Sequence, residues 1–276
     1  MSAVLGIDAA WTDHHPSGVA LVRFRLGRWE CVTVASSYEG FAFPGASSGT
    51  GPLTTVKRVD TAALLKAANQ QLADDCVRVV AIDMPLSRGP ITSRRLADNL
   101  ISRAFGKFGC GTHSPSSERP GAISDCVRDR FAEEGFLLHT TTPPAKPPFS
   151  LIETFPHPAL LALCRCDYRL PYKVSKARSY WPTASTSERR ANLKAQMRRI
   201  VDALGRDIAN IPINLRGIPE NSSTRQLKAV EDMIDALVCA WVGIKYSLGE
   251  AEAYGDSSAS IWVPRVTAPH PAARYI

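Results

Sequence analysis

Residues 4–11 read VLGIDAAW, a short apolar run that ends in an acidic residue. Two further apolar segments, residues 18–24 and 29–35, follow at short intervals and are separated by a tight, glycine-containing turn over residues 25–28. Segments of this length with connections this short are typical of neighbouring antiparallel strands. We therefore expect the chain to begin with a three-stranded antiparallel meander whose first strand covers residues 4–10.

A helix and a buried strand are expected next. Residues 60–75 carry apolar side chains at helical spacing, with acids at both ends. Residues 77–84 form a continuous, β-branched run that is typical of a central strand covered on both faces, and Pro85 ends it. A helix between an antiparallel meander and a buried strand predicts an α/β fold with a mixed sheet, in which three antiparallel strands are followed by parallel strands flanked by helices.

The sequence after this strand predicts helices and loops added to the sheet. Residues 86–150 contain two segments with helical spacing, 92–105 and 124–134, with a glycine- and serine-rich stretch between them. We expect this region to be an insertion of helices and loops. A short strand over residues 150–154 then leads into an apolar helix over residues 159–164.

The last third of the chain is expected to be largely helical. Residues 164–224 are basic and helical in their second half, and residues 225–248 show the clearest apolar stripe in the sequence. Residues 259–263 predict a last edge strand. Residues 40–52 and 140–148 are rich in glycine, proline, serine and threonine and are expected to be loops. No internal repeat is present, so we expect one domain over all 276 residues.

Composition excludes several classes of protein. Of the 276 residues, 45% are hydrophobic and 21% are charged, which excludes an intrinsically disordered chain. The longest apolar run is far too short for a membrane helix, and the N-terminal segment lacks the basic region of a secretory signal. The seven cysteines form no disulfide framework. We therefore expect a reduced, cytoplasmic protein that does not associate with membranes.

The most informative polar residues are carboxylates at the ends of apolar segments. Asp8 ends the first strand, Asp83 ends the buried strand and Glu153 lies near the end of the later strand. Asp232 and Asp235 are three residues apart on the long helix, beside its apolar stripe. If the first strand and the buried strand are neighbours, their two acids leave the sheet at the same edge. An ionised carboxylate against a core is costly unless it is paired or binds a cation.

Converging carboxylates repel one another, and a divalent cation relieves this repulsion. Mg²⁺ and Mn²⁺ prefer hard oxygen ligands such as carboxylates. Two such ions at one site can activate a water and stabilise the departing oxygen of a phosphodiester in an in-line displacement. The acids together fit a site for two Mg²⁺ or Mn²⁺ ions that cleaves nucleic acid. Taken singly, a strand-end aspartate is more typical of a turn or cap, and Asp232 and Asp235 are more typical of a solvated helix edge.

Motifs in a fixed order along the whole chain resemble one known family. They are GIDAAW (6–11), AIDMPLS (81–87), RRLAD (94–98), LIETFPHPALL (151–161), LPYK (170–173), LKAVEDMIDALVCA (227–240) and SIWVP (260–264). These motifs resemble the predicted RNase H-like nuclease family, also described as domain of unknown function 429. The resemblance implies an RNase H-like fold with a candidate two-metal site.

The positions that match the family's motifs imply roles for individual acids. The resemblance makes Asp8, Asp83, Asp232 and Asp235 candidate metal ligands, with Glu153 as a fifth catalytic acid. The D-x-x-D spacing on the long helix is also similar to that on the last helix of Holliday-junction resolvases of the same superfamily.

Several other residues are candidates for contact with the substrate. Arg95 and Lys173 each belong to one of the motifs and are candidate phosphate ligands, and each is otherwise an ordinary surface charge. His157, between two prolines, could orient a water or contact a phosphate, or it could be a local hydrogen-bonding residue. Trp11 and Trp181 lie near expected loops and are candidates for stacking on bases.

The distribution of charge predicts a nucleic-acid partner, DNA or RNA. The chain has 33 basic and 26 acidic residues and a net charge of +7, and all of this excess lies in residues 86–224, which carry +9. A basic rim around an acidic centre is what binding of a polyanion requires. We expect binding to be sensitive to salt and to weaken when the arginines of the basic helix are neutralised; these are Arg189, Arg190, Arg198 and Arg199.

Two other functions fit the same class of fold. An ATP-binding phosphotransferase of the actin-like branch needs a glycine-rich turn after the first strand, whereas the loop here, AAWTDHHPSG, contains glycine only at Gly18. A catalytically inactive protein that binds nucleic acid or serves as a scaffold is the other alternative. The sequence leaves open whether the substrate is DNA or RNA, whether it is branched, and what the oligomeric state is.

Overall fold

The computed structural model describes residues 2–11, 16–43, 60–142, 149–219 and 222–265. In this part of the chain, nine strands form one sheet. The strands are β1 (Ser2–Asp8), β2 (Gly18–Arg25), β3 (Arg28–Ala35), β4 (Cys76–Ile82), β5 (Phe136–Leu138), β6 (Phe149–Thr154), β7 (Ile208–Ala209), β8 (Ala251–Gly255) and β9 (Ser260–Pro264).

The sheet is mixed: an antiparallel meander meets parallel strands at β1, and at the two edges β7 is parallel to β3 and β8 is antiparallel to β9. The order across the sheet is β7-β3-β2-β1-β4-β6-β9-β8, and β5 also pairs with β6. β1, β2 and β3 form an antiparallel meander, whereas β4, β6 and β9 continue the sheet from β1 as parallel strands. The expectation of a mixed α/β sheet that begins with a meander and is flanked by helices is confirmed.

Eight α-helices are found among the described residues. They are α1 (Tyr38–Ala42), α2 (Thr61–Leu72), α3 (Leu96–Phe105), α4 (Ala122–Glu133), α5 (Pro156–Cys164), α6 (Ala177–Tyr180), α7 (Thr186–Leu204) and α8 (Thr224–Ser247). Side-chain caps fix where the longer helices start: Asp60 accepts from the backbone of Ala63 at 2.9 Å, and Ser185 and Ser223 form capping boxes. No helix in the described ranges combines the length and apolar character needed to cross a membrane.

Each face of the sheet carries its own apolar layer. Because side chains alternate along a strand, Val4 of β1 packs with α5, α7 and α8, whereas Leu5 and Ile7 pack with α1, α2 and α4 on the other face. The two layers are almost completely buried. The first face, covered by α8, is the one on which the candidate site lies.

Two glycines allow α8 to lie unusually close to the sheet. A Cβ atom added to Gly6 of β1 would lie 2.2 Å from the carbonyl oxygen of Ala236, and one added to Gly18 of β2 would lie 2.1 Å from that of Asp232. Neither distance is compatible with a side chain. The close approach holds the acidic part of α8 directly against the ends of β1 and β2.

Several boundaries differ from those expected from the sequence. The helix expected over residues 92–105 begins at Leu96, because Arg95 is its N-cap and donates its backbone N–H to Asp98 at 2.9 Å. The helix expected from residue 159 begins at Pro156, since proline is tolerated in the first turn of a helix.

Some segments that the sequence left as loops contain regular structure. α1 lies partly within the loop expected over residues 40–52, of which residues 44–52 are outside the described part of the chain. Residues 143–148 of the connector expected over 140–148 are also outside it. The short strands β5, β7 and β8 were not expected from the sequence.

Candidate functional site

The ends of β1 and β4 bring Asp8 and Asp83 together. The two strands are parallel neighbours with Ile7 opposite Ile82, and the backbone N–H of Asp83 donates to the carbonyl of Ile7 at 2.9 Å. Alternation along β1 places Asp8 on the same face as Gly6, which is the face covered by α8. The two acids therefore leave the sheet side by side, and both are partly exposed.

Three acids of α8 are buried against this edge of the sheet. Glu231, Asp232 and Asp235 are at most 3% exposed. Asp235 accepts hydrogen bonds from the Tyr172 hydroxyl and from Lys173 Nζ, each at 2.5 Å. The sequence therefore folds so that strand acids from one end of the chain and helix acids from the other share one site.

The segment that contains the LPYK motif crosses the acidic part of α8. Beside the two contacts to Asp235, the backbone N–H of Val174 donates to Glu231 Oε2 at 2.6 Å, and Lys173 Nζ lies 3.5 Å from Glu231 Oε1. Lys228, one turn before the acids on α8 itself, bonds Glu231 at 2.9 Å and also bonds Asp232. Two lysine ammonium groups thus supply the positive charge of the cluster.

The strand acids have pKa values above the usual range for aspartate. Burial raises the pKa of Asp8 to about 6, with the attraction of Lys173 opposing the shift and the repulsion of Asp232 adding to it. Burial also raises the pKa of Asp83 well above its ordinary value, and the negative charge of Asp8 raises it further. In the described part of the chain, neither carboxylate has a hydrogen-bond or ion-pair partner.

The acids of α8 also have raised pKa values, and Lys173 in the 170–174 segment remains charged beside them. Burial raises the pKa of Asp235 to about 6, even though Lys173 lowers it, and burial raises the pKa of Asp232 as well. Burial lowers the pKa of Lys173, but the attraction of Asp235 and the other acids outweighs it and holds that pKa well above its usual value. The ammonium of Lys173 is therefore charged, and the carboxylates still outnumber the cations.

The carboxylates of this cluster suit a hard divalent cation, but two of them are already bound to lysine side chains. Asp8 and Asp83 offer carboxylate oxygens without a partner, which are the ligands that Mg²⁺ and Mn²⁺ prefer. Asp232 and Asp235 are held by Lys228 and Lys173. Among the described residues, no group of three or more His, Cys, Asp and Glu side chains is arranged to hold a metal ion. The acids would reach a cation together only if at least one lysine moved away.

Glu153 and Arg95, expected as a catalytic acid and a phosphate ligand, are bound to each other. Glu153 pairs with Ile82 in the sheet, so its side chain lies on the face opposite to that of Asp83. Both of its oxygens accept from the Arg95 guanidinium, at 2.6 and 2.7 Å, and Oε2 also accepts from the backbone of Leu86 at 2.7 Å. The two side chains are 3% and 8% exposed.

The Arg95–Glu153 pair is part of a larger network of buried hydrogen bonds. Arg95 also bonds both carboxylate oxygens of Asp98 and the carbonyl of Leu86. Burial raises the pKa of Glu153 to about 7, and the Arg95 charge opposes that shift. The network fixes the chain after β4 to the end of β6, which positions the strand ends without contacting Asp8.

His157 lies in the first turn of α5 and is 8% exposed. Burial lowers its pKa well below the ordinary value for histidine, so the ring is neutral. The ring packs edge-on against Phe155 and Tyr172, and its Nδ1 has no hydrogen-bond partner among the described residues. His157 thus contacts the tyrosine that holds Asp235, rather than solvent.

The arginines expected to form a basic surface differ in whether hydrogen bonds hold their side chains. On α7, Arg189 donates to the carbonyls of Trp181 and Pro182 at 2.9 and 2.8 Å, and Arg199 donates to Cys164 at 3.2 Å. Arg198 is exposed. The side chains of Arg189 and Arg199 therefore support neighbouring chain segments as well as carrying charge.

Three residues of the cluster were not singled out from the sequence: Tyr172, Lys228 and Glu231. The tyrosine stands beside Lys173 in the LPYK motif, so the motif itself was the available signal. Lys228 and Glu231 precede the D-x-x-D pair by one turn or less, and their helical spacing places them on the same side. Only the crossing of the 170–174 segment over α8 shows that they share one site.

Comparison with protein families identifies the chain. A search of curated proteins and a search of solved structures each gave no match. The model of one family, described as "Protein of unknown function (DUF429)", matches residues 6–259, which contain every acid of the cluster. The match covers most of the sequence, and the chain therefore belongs to the DUF429 family.

Proposed function

We propose that the protein is a divalent-cation-dependent phosphodiesterase that cleaves nucleic acid and that its fold is RNase H-like. The observation that carries the proposal is that Asp8 and Asp83 lie side by side at the ends of neighbouring parallel strands, face the acids of α8, and have no partner for their carboxylates among the described residues. An antiparallel meander followed by parallel strands, with acids on the first strand, the fourth strand and a late helix, supports the RNase H-like assignment.

The residues of the cluster would have different roles. Asp8 and Asp83 would hold the cation, and Asp232 and Asp235 would complete its ligands. When bound, divalent cations at such a site activate water and stabilise the departing oxygen of a phosphodiester. Tyr172 orients Asp235 through its hydroxyl, and Lys173 neutralises the acids until a cation or the substrate reaches them.

The distribution of charge supports a polyanionic substrate. Residues 86–224 carry a net charge of +9, whereas the segments that supply Asp8, Asp83 and the acids of α8 are slightly acidic. Cationic surface around an acidic centre attracts the phosphate backbone and lets a cation mediate its contact with the carboxylates.

A cleavage assay tests the proposal directly. Single-stranded, duplex, hybrid and branched substrates are incubated with Mg²⁺ or with Mn²⁺, and Asp8→Asn and Asp83→Asn are compared with Asp202→Asn, an exposed acid on α7. We expect cleavage by the wild type and by Asp202→Asn only. Circular dichroism checks that the variants are folded. Cleavage that survives Asp8→Asn would contradict the assignment of the site.

Thermal shift separates the proposal from the alternative functions, because only a ligand of the native state raises the melting temperature. We expect Mn²⁺ alone to raise the melting temperature of the wild type and to leave that of Asp83→Asn unchanged. A rise with ATP and Mg²⁺, without one for Mn²⁺ alone, would favour a phosphotransferase. No cleavage of any substrate, with binding of nucleic acid retained, would favour the inactive scaffold.

A further inference from the structure

An open groove of about 560 Å³ is lined mainly by residues of the 168–181 segment. The residues that matter here are aromatic or cationic: Tyr168, Arg169, Lys176, Tyr180 and Trp181. Tyr168 is 64% exposed, which is unusual for a large aromatic side chain. We call this feature the Arg169 groove.

The walls of the Arg169 groove are held in place by the surrounding fold. The backbone N–H of Arg169 donates to the carbonyl of Phe108 at 2.9 Å, and the ring of Trp181 packs edge-on against that of Tyr180 with 5.6 Å between their centroids. The carbonyl of Trp181 is fixed by Arg189 at 2.9 Å. The aromatic surfaces are thus presented by an ordered segment of the chain.

The Arg169 groove carries positive charge that no acid among the described residues pairs with. In the described part of the chain, neither Arg169 nor Lys176 forms an ion pair. Arg169 Nε and the Tyr180 hydroxyl are both buried, and the two side chains interact: burial raises the pKa of Tyr180, and the charge and hydrogen bond of Arg169 oppose that shift. An anionic ligand that accepts hydrogen bonds would complement the charge of the guanidinium and its other N–H groups.

The position of the groove ties it to the acidic cluster. Lys173 belongs to the same chain segment as the groove residues, bonds Asp235, and is near enough to the groove for its charge to act on Tyr180. Arg169 and Lys173 both act on His157, which packs against Tyr172. A ligand in the groove would therefore lie next to the carboxylates rather than on a remote surface.

We propose that the Arg169 groove binds one nucleotide of a single-stranded nucleic acid, as part of the substrate of the phosphodiesterase proposed above, on which this inference rests. The base lies against Tyr168 and Trp181, and its phosphate accepts hydrogen bonds from Arg169 and Lys176. Aromatic faces with adjacent cations are the features that single strands require, because every base has a face that can stack whereas a duplex hides it.

Binding is measured in EDTA, which removes the metal ions that cleavage would need. The probe is a labelled single-stranded DNA of about 12 nucleotides, titrated in EDTA and followed by fluorescence anisotropy. Its abasic counterpart, a duplex of the same length and a mononucleotide are compared with it. Lys176→Gln, Arg169→Gln and Tyr168→Leu are tested against Arg178→Gln, an exposed cation of the same segment that does not line the groove.

We expect the single strand to bind at least about fivefold more tightly than the abasic strand or the duplex, given the usual strength of base stacking. Lys176→Gln and Arg169→Gln should each weaken binding by about fivefold and reduce the slope of log affinity against log salt by about 0.7, as loss of one phosphate contact does for a single strand. Tyr168→Leu should weaken binding of the single strand but not of the abasic strand. Arg178→Gln should stay within about twofold of the wild type.

Each contrary outcome overturns a different claim. Equal affinities for Arg178→Gln and the groove variants would show that the groove does not bind the strand, even if the wild type cleaves DNA. Binding of the mononucleotide as tight as that of the single strand would show a pocket for free nucleotides instead. Loss of binding in the groove variants, together with no cleavage by the wild type under any metal, would leave the groove in place and refute the phosphodiesterase.

Discussion

Replacing Lys173 by methionine removes the ammonium that faces Asp235 but keeps most of the volume of the side chain. Asp235 is 0% exposed, and its two oxygens are held only by Lys173 and the Tyr172 hydroxyl among the described residues. In the variant, the carboxylate would keep a single neutral donor in a buried site. We therefore expect the Lys173→Met variant to be less stable than the wild type, and to an extent that depends on pH.

The sign of this dependence follows from the pKa of Asp235, which burial raises to about 6 in the wild type. A carboxyl whose pKa is higher in the folded state costs stability as the pH rises from its unfolded pKa to its folded pKa, since the unfolded state releases the proton first. In the wild type this loss ends near pH 6. In Lys173→Met the pKa of Asp235 rises further, so the loss continues above pH 6.

The magnitude can be worked out from the same pKa. Through Asp235 alone, the variant loses about 1.4 kcal/mol relative to the wild type for each pH unit above pH 6, until its own Asp235 ionises. At about pH 7.5 the difference in the free energy of unfolding should be about 2 kcal/mol. This is less than the roughly 3–5 kcal/mol that breaking a buried ion pair costs, because protonation of the carboxyl limits the loss. At about pH 5 the carboxyl of Asp235 is largely protonated in both proteins, and its share of the difference should be close to zero.

Urea unfolding followed by tryptophan fluorescence, in EDTA and between about pH 5 and pH 8, measures this difference. Lys228→Met is the matched control, because its ammonium also bonds acids of α8 but its side chain is 46% exposed. Solvent screening should keep its effect to about 0–1 kcal/mol. A loss of stability for Lys173→Met that is the same at pH 5 and at pH 7.5 would refute the reasoning, because the loss would then come from packing and not from the charge of Lys173.

Two further predictions concern the framework of the site. Gly6→Ala should destabilise the protein by about 3 kcal/mol in urea unfolding and abolish the thermal shift with Mn²⁺, since the new Cβ would lie 2.2 Å from the carbonyl oxygen of Ala236. Gly89→Ala is the control and should be close to neutral, because a Cβ at that position would have nothing within 4 Å. Arg95→Met should cost about 3–5 kcal/mol by leaving Glu153 buried without its counter-charge, and the double variant with Glu153→Met should recover at least half of that loss in the same assay; no recovery would contradict the ion-pair explanation.

The sequence predicts the framework of the fold well because its signals are local. Strand spacing and short connections are enough for the meander, and a continuous apolar run is enough for β4. The adjacency of Asp8 and Asp83 then follows from one assumption, that β1 and β4 are neighbours, and the register of Ile7 with Ile82 supports it. The strands not expected, such as β7 with two residues, are too short to leave a pattern in the sequence.

The partners of individual side chains could not be predicted in the same way. Glu153 and Asp83 both lie near the ends of their strands. Glu153 is opposite Ile82, one position before Asp83, so its side chain lies on the opposite face and contacts Arg95. Lys173 looked like a phosphate ligand, and its contact with Asp235 depends on how the 170–174 segment crosses α8. Such contacts depend on tertiary packing between distant parts of the chain, which leaves no periodicity in the sequence.

The close seating of α8 on β1 also has a consequence for the order of events during synthesis. Asp8 leaves the ribosome well before Asp235, because β1 precedes α8 in the chain. Domains begin to fold from the N-terminus as they emerge, but contacts between distant segments wait until both segments are available. The meander and β4 can therefore pair while the acidic centre is still incomplete. A nascent chain gains its full set of carboxylates, and the chemistry proposed for them, only after α8 has emerged and packed against β1.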